Sequence, residues 1–172
     1  MKKLCLLLSL VFLTGLAGHS QEIIVSSNGI GPIQVGMALA DVPASLPPRY
    51  TSIQPFPEYF MWVYCNKGED STLYLLGEDE ESDQYETFVH FILHSPDAVT
   101  KEGLHVGSTC KEILEKGGKM RKKVMPESGP ILYVELDDLY FFFDEQEGVE
   151  RGRIKPDAPC EMISNSDYPF YM

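Results

Sequence analysis

Several residue types are scarce in this 172-residue chain, and each scarcity removes a class of function. It holds four cysteines, four histidines and one tryptophan. No Cys-x-x-Cys pair and no Cys/His run at zinc spacing occurs, so neither a dithiol redox centre nor a structural zinc site is expected. No Gly-x-Ser-x-Gly pentapeptide occurs, which removes that strained-turn serine nucleophile. Basic residues are few: 14 Lys and Arg stand against 26 Asp and Glu, for a net charge of −12. Such a surface repels nucleic acid and anionic lipid, so neither is expected as a partner.

Long apolar runs are also missing after the first stretch. Residues 4–16 are almost wholly apolar and follow Lys2-Lys3, while Gly18 and Ser20 offer small residues where a signal peptidase reads. Residues 1–20 are therefore expected to be a signal peptide cut before Gln21. At about 13 residues the run is short of the roughly 20 that span a bilayer, so no membrane insertion is expected. Cys5 lies at the start of the apolar run rather than after a cleavage motif, which argues against a lipid anchor. The mature chain, 21–172, reads as one exported domain, periplasmic or extracellular.

That compartment is oxidising, and Cys65, Cys110 and Cys160 remain in the mature chain. Cys110 falls opposite Leu39 in the repeat described next and reads as a small buried apolar residue. Cys65 and Cys160 are then the one candidate bridge, although their repeat equivalents, Leu136 and Val89, are apolar core positions.

What is plentiful is self-similarity. Ile33-Gln34-Val35-Gly36 returns as Leu104-His105-Val106-Gly107 at an offset of 71, and Asp41-Val42 returns as Glu112-Ile113. At the far end the same offset sets Phe91 opposite Met162. Two copies of one supersecondary unit, about 28–98 and 102–169, are expected to fill the domain. Each copy opens with a short apolar strand and a Val-Gly turn. In the second, Thr109 and Glu112 have the spacing of a helix-capping box, and Gly117-Gly118 ends the helix. In the first, Ala38 replaces the capping threonine and Pro43 falls inside the expected helix, which must be short or kinked. Aromatic and β-branched strands follow at 59–64, 72–76 and 88–94, and again at 131–136, 139–144 and 160–164, with Asp137-Asp138 a tight turn. The expected fold is α+β: two tandem β-α-β-β-β repeats forming one antiparallel sheet with helices packed on one face.

A Val-Gly turn leading into an acidic-then-apolar helical pair (Asp41-Val42, Glu112-Ile113), then a β-meander, and all of it repeated, resembles a group of exported bacterial tandem-repeat proteins. The group includes the β-lactamase inhibitory protein and the SmpA/OmlA-like outer-membrane assembly lipoproteins. The chain is also similar to exported proteins of Bacteroides-like bacteria. The resemblance implies a non-enzymatic role in binding another protein.

His90 and His94 lie four apart in an expected strand, which separates them by about 13 Å, too far to share a metal ion. His105 reads as an outward polar position. Ser95 follows His94, but adjacent strand residues point to opposite faces, so the pair is not a nucleophile and base. The acidic run Glu78-Asp79-Glu80-Glu81-Ser82-Asp83 lacks the alternating order of a calcium loop and reads as a hairpin tip. Lys119, Arg121, Lys122 and Lys123 form the one concentrated basic patch, a candidate contact for an anionic partner. No cofactor or metal is expected. The leading expectation is a soluble binding module that engages another protein through its sheet face or hairpin loops, with Tyr59, Phe60 and Trp62 as aromatic anchors. The alternative is a hydrolase of cell-envelope polymer. Asp137, Asp138, Asp144, Glu145 and Glu147 flank the second set of strands, and carboxylates near Asp137 and Asp144 would serve it.

Overall fold

The computed structural model describes residues 23–45, 50–56, 61–66, 73–78, 87–125, 129–144 and 152–167. Two sheets dominate it. β1 (Ile23–Ser26), β2 (Gly29–Ile30), β3 (Ile33–Gln34) and β8 (Ala98–Thr100) form a small sheet in the order β3-β2-β1-β8, in which β1 and β8 run parallel. β4 (Tyr50–Phe56), β5 (Met61–Asn66), β6 (Leu73–Glu78) and β7 (Thr87–Leu93) make one meander. β9 (Lys119–Met125), β10 (Gly129–Leu136), β11 (Leu139–Phe142) and β12 (Met162–Ser164) make a second. The meanders join through their last strands into an eight-stranded sheet, β4-β5-β6-β7-β12-β11-β10-β9, with Leu93 opposite Ile163 and Ile92 opposite Ser164.

This corrects the α+β expectation. The described residues are mostly strand, and helix is confined to a 3-10 turn at Leu39–Asp41, α1 (Val42–Ser45) and α2 (Cys110–Glu115). The layer expected to be helical is largely the small sheet. Ile23, Val25, Ile30 and Ile33 from it pack in one core with Phe88, Phe91, Val134, Phe141 and Ile163 of the large sheet, and the helical segments add Val42, Cys110 and Ile113. The reason combines short helices with the long-range pairing of β1 and β8. Neither helix approaches the 12 or more residues at which helices hold themselves together, so the short apolar strands before each Val-Gly turn pair into a sheet of their own.

α2 forms where the sequence specifies a cap. Thr109 Oγ1 accepts from Glu112 N at 3.3 Å, and Glu112 Oε2 accepts from Thr109 N at 2.7 Å. These bonds hold the Glu112 carboxyl below its ordinary value, the backbone donor contributing most. Ala38 offers no such acceptor at the corresponding point of the first helical segment.

The two Val-Gly turns make matching backbone bonds. Gly36 N donates to Phe88 O and Gly107 N to Cys160 O, each at 2.7 Å, while Phe88 N and Cys160 N return bonds to Met37 O and Ser108 O at 2.8 Å. Gly36 (φ +88°) and Gly107 (φ +102°) hold a backbone shape that a side chain strains. The bonds match Phe88 to Cys160, so the offset on this side is 72 and not 71. Cys160 therefore takes the place of core residue Phe88, and its own exposure is 1%.

Candidate functional site

The large sheet has two apolar faces. Opposite the main core, Ile92, Tyr133, Phe142 and Met162 form a second buried cluster, with Ile131 and Tyr140 packed against it and partly open. Tyr133 lies directly opposite Phe142 across β10 and β11, their ring centroids 5.5 Å apart, and meets Tyr140 edge-on at 5.6 Å. Burial raises the hydroxyls of Tyr133 and Tyr140 above their ordinary value, and the Asp167 carboxylate adds to the shift. Both therefore stay neutral hydrogen-bonding groups on an apolar ground.

A basic border follows from strand register. β9 pairs with β10 so that Lys119 faces Glu135, Arg121 faces Tyr133 and Lys123 faces Ile131. Directly opposed residues share a face, so these cations rim the aromatic cluster. Arg121 Nε lies 2.8 Å from Glu135 Oε2, and Lys123 Nζ lies 2.8 Å from Asp167 Oδ1. Lys122 and Val124 alternate to the other face, and Val124 is 70% exposed. The basic patch is thus an edge strand rather than a helix end.

The residues singled out in the sequence are dispersed. Tyr59 and Phe60 lie outside the described residues. Trp62 is in β5, between Pro55 and Leu75. Five interstrand steps separate β5 from β10, about 24 Å along the sheet, so Trp62 and the Tyr133 cluster are separate places. Asp137 sits in the β10–β11 turn with φ +52° and a 2.9 Å ion pair to Lys101. Asp144 lies beyond the other end of β11, about 17 Å along the strand from Leu139, where its charge helps to keep the Glu161 carboxyl above its ordinary value after burial. A carboxylate pair needs separations of about 5 to 10 Å, so the structure does not bring Asp137 and Asp144 together. Glu145 and Glu147 and residues 79–83 of the acidic run lie outside the described residues.

Ser95 is buried, and its Oγ accepts from Asp97 N at 3.3 Å, a turn-making role. Burial lowers His94 below the ordinary histidine value, partly offset by a bond to the Glu161 backbone. The His105 ring lies 2.7 Å from Val106 O, within its own turn. Among the described residues no group of three or more His, Cys, Asp or Glu side chains could hold a metal ion, and no helix is long and apolar enough to cross a membrane. Cys110 and Cys160 are both buried. Cys65 stands three strands from β12, about 14 Å, whereas a disulfide needs Cα atoms within about 7 Å, so the Cys65–Cys160 bridge does not form in this fold.

Sequence reasoning missed the Tyr133 cluster. Its signal was present: Tyr140-Phe141-Phe142-Phe143 is apolar at consecutive positions, as in a strand covered on both faces. No protein-family model, curated protein or solved structure matches the chain.

Proposed function

We propose that this chain is an exported, non-catalytic binding module that engages another protein through its eight-stranded sheet. The observation that carries the reading is the partly open Tyr140 and Ile131 at the margin of the buried Tyr133–Phe142 cluster, on the face opposite the main core and bordered by Arg121 and Lys123. Aromatic groups with polar tips beside arginine are the chemistry of interface hot spots. Tyr59, Phe60 and Trp62 belong to this reading as a second set of candidate anchors. The hydrolase alternative loses its support with the separation of Asp137 from Asp144.

A photo-crosslinking amino acid at position 140, in the chain expressed in its own cell envelope, tests the reading. A discrete adduct is expected there and not at the exposed helix position Lys111. Adducts at both positions or at neither would refute it. Export is tested by intact mass: the mature form is expected to begin at Gln21.

A further inference from the structure

The two edges of the large sheet are protected differently, and the difference points to a partner. An edge strand presents alternate backbone N–H and C=O groups to any chain that can pair with them. On β4, Pro55 removes one donor, and the ladder with β5 shifts register between Ser52 and Gln54. β9 has neither device. Its pairing with β10 runs unbroken through seven residue pairs, from Lys119–Glu135 to Met125–Gly129, and it contains no proline. Among the described residues no strand lies on its outer side. What protects it is charge: Lys119, Arg121, Lys122 and Lys123 fall within five positions of a chain whose net charge is −12.

Charge is a selective guard. A second copy pairing antiparallel along β9 would set these cations against one another, which disfavours self-association. An acidic strand meets the opposite condition. On one face its carboxylates would lie across from Lys119 and Arg121, both exposed, and on the other an apolar side chain would cover Val124. We propose that β9 takes up an extended acidic segment of a partner protein as a ninth strand. This rests on the binding-module reading and names the partner's chemistry: backbone pairing supplies register-tolerant affinity, and the cations reject neutral and basic edges.

The test uses the mature protein and a fluorescent seven-residue peptide of alternating glutamate and valine, with alternating lysine and valine as control. The acidic peptide is expected to bind with an affinity that falls as salt rises, and the basic one not to bind. Lys119→Glu/Arg121→Glu, two exposed changes on the face that meets the carboxylates, should weaken binding about tenfold with a cooperative melting transition retained. Hydrogen exchange should show alternate amides of residues 119–125 newly protected in the complex. No binding of the acidic peptide at millimolar concentration, equal binding by the double variant, or binding without protection of β9 would each overturn the proposal. The crosslink at position 140 separates the two readings. An adduct there with no peptide binding leaves the module and removes the edge site, whereas failure of both removes both.

Discussion

Gly118, the last residue between α2 and β9, sits where the packing leaves little room. A Cβ built there would lie 2.6 Å from Val134 Cγ1, 2.8 Å from Ile113 O and 3.1 Å from Ile113 Cγ2. The carbonyl cannot retreat cheaply, because Gly118 N donates to that same Ile113 O at 3.1 Å and the bond closes the helix. Val134 and Ile113 are both fully buried. Gly118→Ala should therefore act as overpacking and cost about 1 to 3 kcal/mol. For a domain of this size that is a fall in melting temperature of roughly 2 to 4 °C per kcal/mol. The closest contact is a Val134 methyl, so the steric account makes a sharper claim. Val134→Ala alone leaves a cavity and destabilises, yet in the Gly118→Ala background it should cost less, with a coupling of about 1 kcal/mol. Equilibrium urea unfolding of the four proteins in the cycle measures this. A neutral Gly118→Ala, or strictly additive costs, would refute the reasoning, because the helix-to-strand corner would then have space that these distances deny.

Other outcomes follow from the same geometry. Gly36→Ala and Gly107→Ala should each lose about 1 to 2 kcal/mol, through backbone strain rather than contact, since the nearest neighbour at either site is the His105 ring at 3.7 Å from the Gly107 Cβ position; urea unfolding reads both. Burial pushes the Cys160 thiol up to about 12 from an ordinary value of 9.0. The folded state then keeps a proton that the unfolded state releases, so nothing changes below about pH 9. Between about 9 and 12 stability falls as the pH rises. Cys160→Ala should flatten that alkaline slope, and melting curves at pH 8 and 10 check it. Thr109→Ala should cost about 1 kcal/mol by removing the cap. Because Glu112 is held below its ordinary carboxyl value, the stability tied to its charge is present above that value and lost as pH falls through the folded one. Acid titration of stability should therefore be shallower in Glu112→Gln than in the parent.

The turns and the strands β5–β7 and β10–β12 were legible in the sequence because their causes are local. Val35-Gly36 and Val106-Gly107 announce a backbone shape that only the residue itself decides, and the Thr109–Glu112 box is complete within four positions. Asp137-Asp138 specifies its own hairpin turn, with φ +52° and +59°. What covers the large sheet was not legible. Ile23, Val25, Ile30 and Ile33 are too few and too short to declare a sheet alone, and they become one only when β1 pairs with β8, which lies about 75 residues away in the chain. The same holds for the basic segment. Residues 119–123 carry one charge pattern whether they end a helix or edge a sheet, and only the pairing with β10 sets Arg121 against Tyr133 and puts β9 at the end of the sheet. Composition and short-range spacing determine which residues turn, extend or cap; contacts between residues distant in sequence decide which face is core and which is surface, because burial is a property of the assembled sheets and not of any one strand.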